Sequence, residues 1–214
     1  LTFAGGLNTT GAASNPGTVN AAGTVNTTNT RMDIGAVTLT AATTFDTGDA
    51  AAGVMNIGAV TSGGNALTLD SGEAAGATIN LTSMVAGAGG LTIRDAGGLV
   101  TIGDVGSASA GNITITDSGA GVTFSANVDS TTFAINGTTA GQTVTFADGQ
   151  DVDITTAFTT ANVGYNVTIN SATFDAAGDT SFLNTGTVTL GNGTGDVLTF
   201  AGGLNTTGAA SNPG

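Results

Sequence analysis

Short groups made of an apolar residue, a threonine and a second apolar residue recur along this chain. Because successive side chains of a strand point to opposite faces, each triplet would turn its two apolar residues to one side and its threonine to the other. Gly, Asn, Asp or Ser residues bound the triplets, as is typical of short strands joined by tight turns. The pattern predicts an all-β protein with little or no helix.

The spacing of the triplets is regular. Residues 32–38 (MDIGAVT) return as residues 55–61 (MNIGAVT), a shift of 23, and a second series at residues 67–69, 91–93 and 113–115 has shifts of 24 and 22. The longest series has shifts of 22, 22, 23 and 21, which gives a period of about 22 residues. Its members are Val100-Thr101-Ile102, Val122-Thr123-Phe124, Val144-Thr145-Phe146, Val167-Thr168-Ile169 and Val188-Thr189-Leu190.

A period of this length with two or three strands per period indicates a right-handed parallel β-helix, or β-solenoid. The right-handed sense comes from the general preference of parallel crossover connections and not from these residues. Stacking the coils would place the first and third residue of each triplet in two files inside the core. The five threonines of the longest series would then form a ladder outside.

Residues 198–214 are identical to residues 1–17, at an offset of 197. We therefore expect residues 1–214 to be one continuous window of a longer tandem array, with residues 1–197 as one repeat and 198–214 as the start of the next. Nine coils of about 22 residues would fill that repeat. Residues 4–17, which include Pro16, are poor in apolar triplets, and we expect an irregular loop there and at the copy that contains Pro213.

The charge is strongly one-sided. The net charge is −13, the two cations are Arg31 and Arg94, and Lys, His and Cys are absent. Nucleic acid and anionic membranes attract clustered Lys and Arg, so neither is expected as a partner. No apolar run is long enough for a transmembrane helix, and membrane insertion is not expected.

The residue inventory argues against an enzyme. Without His or Cys there is no Ser-His-Asp triad and no thiol nucleophile. Carboxylate pairs for glycoside hydrolysis are offered only by Asp148, Asp151 and Asp153, for which an exposed acidic turn is the favoured interpretation. We predict no catalytic, cofactor-binding or metal-ligating residues.

Calcium is the one ion to weigh against that prediction. Asp148, Asp151 and Asp153, and separately Asp46 and Asp49, offer the hard oxygen ligands that Ca²⁺ prefers. Neither the EF-hand loop nor the glycine-rich calcium nonapeptide is present. A structural calcium stays open as an alternative to ordinary exposed turn aspartates.

The triplets, the Gly/Asn/Asp corners (TDSGAGVTF and LGNGTGDVLTF), the acidity and the long identical repeat together resemble giant bacterial surface proteins. The chain looks like the β-helical passengers of autotransporters and the filamentous-haemagglutinin-type adhesins. The resemblance covers nearly the whole chain but is one of style, and it transfers no functional residue. It implies a secreted, cell-surface protein that acts as an adhesin or as a fibre.

The function expected from these observations is mechanical. The chain would be a repeat of a long extracellular fibre, stalk or sheath whose partner is itself, joined end to end. One alternative is an adhesin that binds glycans or a cell surface through a lateral Thr/Asn face, although Tyr165 is the one tyrosine available. A lesser alternative is ice binding by the threonine ladder, whose outward neighbours, such as Gly121 and Ser125, vary from coil to coil.

Overall fold

The computed structural model describes residues 1–11, 15–85, 89–106 and 111–207. These residues form 21 strands that pair in parallel within one sheet wound around the core. The strands are β1 (Thr2–Phe3), β2 (Leu7–Asn8), β3 (Val19–Thr27), β4 (Met32–Ile34), β5 (Val37–Asp46), β6 (Met55–Thr61), β7 (Leu67–Gly72), β8 (Ile79–Val85), β9 (Leu91–Ala96), β10 (Val100–Val105), β11 (Gly111–Ile115), β12 (Val122–Phe124), β13 (Val128–Ile135), β14 (Thr143–Phe146), β15 (Asp151–Thr160), β16 (Asn166–Ile169), β17 (Thr173–Ala176), β18 (Asp179–Ser181), β19 (Val188–Leu190), β20 (Val197–Phe200) and β21 (Leu204–Asn205).

The pairings sort these strands into three stacks, and some long strands bend from one stack into the next. Face A contains β2, β4, the first part of β6, β8 and β10, then β12, β14, β16 and β19. Face B contains the first part of β3, β5, β13 and β15, the last part of β6, β8 and β10, then β17 and β20. Face C contains β1, β7, β9, β11, β18 and β21 and the last part of β3, β5, β13 and β15.

The predicted parallel β-solenoid is confirmed, with about 23 residues per turn and about 8 turns. The nine coils of about 22 residues expected for one 197-residue repeat are close to this count, and the average turn is slightly longer than the triplet series predicted. The length of a turn varies along the whole chain: Val19 and Val37 pair 18 residues apart, whereas Leu7 and Met32, like Ile135 and Thr160, pair 25 residues apart. The extra residues lie between the strands and leave the stacking intact. The right-handed winding stays a prediction.

The two predicted inner files of face A are present. Val100 stacks in turn on Val122, Val144 and Val167, and all four are fully buried. The file that begins at Ile102 runs parallel to it and ends at Leu190, in the last turn. The threonines between them point outward and are partly exposed, as the alternation of the strands requires.

The core is filled differently along the axis. We call the turns up to β11 the lower turns (residues 1–115). Their core consists of Met, Ile, Leu, Val and Ala side chains, and Phe45 is the one fully buried ring among the described residues of these turns. In the upper turns (residues 116–207) phenylalanines contact each other from one turn to the next, with ring centroids 5.2–6.4 Å apart. This aromatic spine contains Phe124, Phe133, Phe146, Phe158, Phe174, Phe182 and Phe200.

The corners between faces C and A are closed by features that no strand pattern reveals. Buried hydroxyls of Thr47, Ser71 and Ser118 donate hydrogen bonds to backbone carbonyls across the bend. Gly72 has a φ of 74°, and a Cβ there would lie 2.5 Å from the carbonyl oxygen of Gly48 one turn below. Only glycine allows both that conformation and that approach.

The segment expected to be an irregular loop is partly ordered into the sheet. Leu7 and Asn8 form β2, which pairs with Met32 and Asp33. Leu7 packs against the core from its partly buried position. Residues 12–14 and 208–214, which include the second proline, lie outside the described residues, and the irregular-loop prediction there is not assessed.

Candidate functional surfaces

The outer file of face A changes character halfway along the axis. In the lower turns it is a polar ladder in which the Asn56 side-chain amide donates to Asp33 at 2.7 Å and the Asn80 amide donates to Asn56 at 2.8 Å. From β10 onward it is the predicted threonine ladder, which begins in the lower turns and continues through the upper turns. Its members, stacked residue for residue, are Thr101, Thr123, Thr145, Thr168 and Thr189.

A second threonine file, which the sequence analysis did not single out, lies on face C of the lower turns. The signal was present in the triplets at residues 67–69, 91–93 and 113–115, whose central residue is always threonine. The file consists of Thr24, Thr44, Thr68, Thr92 and Thr114. It occupies a different face from the first file, and the two overlap along the axis only near Thr101 and Thr114, so they do not combine into one lattice.

Arg94 lies in a row of carboxylates on face C. Its guanidinium pairs with Asp70 and lies 3.7 Å from Asp46, which stack on each other in adjacent turns. Partial burial raises the pKa of neighbouring Asp95, and the charges of Asp70 and other carboxylates raise it further. The one arginine thus offsets the repulsion within an acidic column that would otherwise be uncompensated.

Face B of the upper turns carries an acidic file without a cation. Asp129, Asp153 and Asp175 stack directly on one another and point outward. Partial burial raises the pKa of Asp129, and the charges of Asp153, Asp104 and Asp151 add to that effect. Like charges in register repel, so this file makes the lateral surface repulsive to another copy of the same surface.

The candidate calcium ligands are spread over several surfaces. Asp151 and Asp153 both point outward from β15, and Asp151 accepts a hydrogen bond of 2.7 Å from Thr173. Asp148 is exposed in the turn before them. Asp46 accepts from the Gly48 amide, with Asp49 in the bend beyond. Over the described residues, no three or more His, Cys, Asp or Glu side chains converge in a way that could hold a metal ion.

The aromatic side chains are buried in the core and are not exposed on the lateral surface. Tyr165 is fully buried, and its hydroxyl donates to the Ile135 carbonyl at 2.8 Å and accepts from the Ala161 amide at 2.9 Å. Burial raises the pKa of Tyr165 to about 12. The phenylalanines are buried too, apart from the partly buried Phe3 and Phe200 in the terminal turns. Between the two terminal turns, the described lateral surface therefore presents no ring for a sugar to stack on.

The two ends of the solenoid expose apolar residues and unpaired strand edges. Leu1 is 77 % exposed in the first turn, and Leu190, Val197 and Leu204 are 43–59 % exposed in the last. Three other exposed apolar residues, Val85, Leu99 and Val163, are single positions along the sides. Open edges above and below are the surfaces on which another turn could stack.

The described residues contain no helix that is both long and apolar enough to cross a membrane. Comparison of the chain with protein-family models, with curated proteins and with solved structures found no match. The described molecule is thus a β-solenoid of about 8 turns, a fold compatible with structural, adhesive and ice-binding roles.

Proposed function

We propose that this protein is a structural repeat of a long extracellular fibre, stalk or sheath on a bacterial surface. The observation that carries the proposal is the combination of a continuous apolar core with exposed apolar residues in the first and last described turns. The duplicated segment occurs once near each end. Its first copy pairs with the turn above through β1 and β2, and its second copy pairs with the turn below through β20 and β21. Taken together, the two copies provide partners on both sides of the segment.

The distribution of charged and apolar residues favours association of two copies end to end and opposes their association side by side. The net charge of −13 is carried mainly by outward carboxylates, including the file of Asp129, Asp153 and Asp175. Apolar exposure is concentrated at the ends, where burial on another turn would stabilise the contact. Single unbranched rods are the expected product.

Neither catalysis nor lateral recognition has comparable support. Among the described residues, Asp129, Asp153 and Asp175 form a stacked file along face B. An open surface pocket on face C is lined by Asp46, Asp49 and Asp70, and there Arg94 pairs with Asp70. For a glycan-binding adhesin, the amide ladder through Asn56 offers hydrogen bonds but no exposed ring accompanies it. For ice binding, each threonine file is a single column. We therefore propose a non-enzymatic, mechanical role.

The test is to build chains of one, two and three consecutive 197-residue repeats and to measure their length by small-angle X-ray scattering. The two copies of the duplicated segment lie eight turns and two of the three faces apart, so at about 4.8 Å per turn each added repeat should lengthen a rod of constant cross-section by about 42 Å. A matched variant with Leu204→Asp and Leu190→Asp at each internal junction should break the rod there without altering the turns within a repeat. Copies that tumble independently, or a cross-section that grows with copy number, would overturn the proposal.

A further inference from the structure

The duplicated segment has the same local structure at both ends of the molecule. In the first copy β1 and β2 flank a tight turn in which the Gly6 amide donates to the Phe3 carbonyl at 3.2 Å. In the second copy β20 and β21 flank the same turn, with the Gly203 amide donating to Phe200 at 3.0 Å. The two glycines have φ values of 91° and 100°. Local sequence therefore fixes the strand-turn-strand unit.

The two copies nevertheless lie on different faces. Phe3 pairs with Thr27 on face C, whereas its counterpart Phe200 pairs with Ala176 on face B. Leu7 pairs with Met32 on face A, whereas its counterpart Leu204 pairs with Thr180 on face C. Each strand of the second copy therefore lies one face earlier than its counterpart in the first copy, in the order A, B, C in which the chain passes the three faces. An offset of 197 residues thus advances the chain by eight turns and two faces, not by a whole number of turns.

We infer that a second copy of this chain stacks on the upper end rotated by one face, and that residues 19–21 of that copy pair with β19. This inference rests on the proposed end-to-end continuation. With the duplicated segment superposed, face A of the second copy continues face C of the first, and its face B continues face A. The first face B segment of the second copy, residues 19–21, then lies above Val188–Leu190.

The side chains at this junction are complementary. Val19, Asn20 and Ala21 would stack on Val188, Thr189 and Leu190, so that apolar lies on apolar and polar on polar. Within one copy, residues 19–21 already pair upward with Val37, Thr38 and Leu39, and Ala21 is buried. Their lower edge is the side left for β19. The contact would cover Leu190, which is 43 % exposed in the last turn.

The same superposition covers the other exposed positions of the upper end. Because Leu7 pairs with Met32, Leu204 would lie beneath Met32 of the second copy, and the 46 % of its surface that is now exposed would be buried. Rotation by one face also means that the acidic file of face B appears on each side of the fibre in turn. Three repeats, about 125 Å along the axis, restore the starting orientation.

Introduced cysteines test the register directly, since the chain has none of its own. In a two-repeat chain, Thr189→Cys would be combined with Asn20→Cys in the second copy only and treated with a short thiol-to-thiol cross-linker. Thr168→Cys with Thr189→Cys, which stack in adjacent turns, is the positive control. Joining without rotation would instead place Asn8 of the second copy above Thr189, so Thr189→Cys with Asn205→Cys is the matched alternative.

We expect the Thr189/Asn20 pair to cross-link within a few-fold of the control, and the Thr189/Asn205 pair at least about tenfold more slowly because its residues lie on different faces. Preferential cross-linking of Thr189/Asn205, or of neither pair in a chain that remains a rod, would overturn the rotation and leave the proposed fibre standing. Loss of the rod itself in scattering would instead overturn the proposed function. Cryo-electron microscopy of the three-repeat chain measures the rotation independently of any substitution.

Discussion

The lower turns and the upper turns follow the same winding path with different means of stabilising it. In the lower turns aliphatic side chains fill the core, and the outer file of face A is tied together by amide hydrogen bonds through Asn56. In the upper turns the aromatic spine fills the core, and the corresponding outer file is a row of threonines. The comparison indicates that winding depends on strand period and alternation, while the filling of each turn depends only on like stacking on like.

Charge separates the two halves as well. Both cations, Arg31 and Arg94, lie in the lower turns and are paired with carboxylates. The described upper turns have an uncompensated acidic file through Asp153. Acidic files thus accompany both kinds of core, but only those outside the aliphatic core are partly offset by arginine.

Removing a ring from the middle of the aromatic spine should have the largest effect. Phe146→Ala loses contacts with four rings and leaves a large cavity, so we expect it to lower the free energy of unfolding by about 4 kcal/mol. Leu67→Ala, in an equally buried aliphatic position, should cost about 3 kcal/mol. Denaturant unfolding with hydrogen exchange would measure both, and equal losses would show that ring contacts add nothing beyond area.

Tyr165 is expected to make the upper turns sensitive to alkali. Its pKa is about 12 in the folded protein against 10.0 ordinarily, so its contribution is complete below pH 10 and is lost as the pH rises through 12. Tyr165→Phe should cost about 1–3 kcal/mol at neutral pH, because the Ala161 amide and the Ile135 carbonyl lose a partner.

The variant is also the control for this prediction. The chain contains one tyrosine and no lysine or cysteine, so the alkaline loss of stability should be absent from Tyr165→Phe. Denaturant midpoints measured from neutral pH to pH 12 would decide it. An alkaline transition of the same size in both proteins would contradict the assignment to Tyr165.

The amide ladder and the threonine ladder should respond differently to truncation. Asn56→Ala removes two side-chain hydrogen bonds between turns, and we expect a loss of about 1–2 kcal/mol. Thr145→Ala, at the equivalent outer position of the upper turns, should cost only about 0.5 kcal/mol through strand propensity. Chemical unfolding of the two variants gives the comparison, which fails if the threonine variant is as destabilised as the asparagine variant.

The smallest effect concerns the acidic files. Asp153→Asn should stabilise the protein by a few tenths of a kcal/mol at low salt and bring the pKa of Asp129 back towards its usual range. Asp70→Asn should destabilise it, because Arg94 loses the nearer of its two carboxylate partners. NMR titration of Asp129 before and after the substitution is the direct measurement.

The opposite pKa shifts have opposite consequences for stability. Because the pKa of Asp129 is raised, its protonation on acidification favours the folded state. Burial of Asp33 opposes its charge, but hydrogen bonds from Arg31 and Asn56 hold its pKa below the usual range. The stabilisation from Asp33 is therefore lost as the pH falls through that lowered pKa.

High salt should reduce the difference in stability between the Asp153→Asn and Asp70→Asn variants, because it screens exposed charges. A difference that persists at high salt would exclude an electrostatic origin.

Much of the fold was predictable because the winding is repetitive. The inner files through Val122 and Phe124, and the outer file through Thr123, follow from a period near 22 and from strand alternation. The exact turn count was not predictable from that series, because the spacing of paired residues varies from 18 to 25 with the length of the segments between strands. Contacts such as that between Phe133 and Phe146 join different faces across the core, so they depend on the cross-section rather than on sequence spacing.

The candidate surfaces were predictable only in part. The threonine ladder of face A was expected, while the file through Thr68 on face C was present in the triplets but not recognised. Pairing of Arg94 with Asp46 and Asp70 brings together residues 24 and 48 positions apart, which only the stacking of successive turns reveals.

By itself, the sequence determined the short strands, their tight glycine turns and the tendency of each turn to stack on an equivalent one. These properties are local or periodic, and the duplicated segment has them at both ends of the molecule. Only the tertiary structure decided on which face each copy lies. A strand joins the face set by the strand beneath it, and that depends on the summed length of all preceding turns, so identical residues occupy face C at β1 and face B at β20.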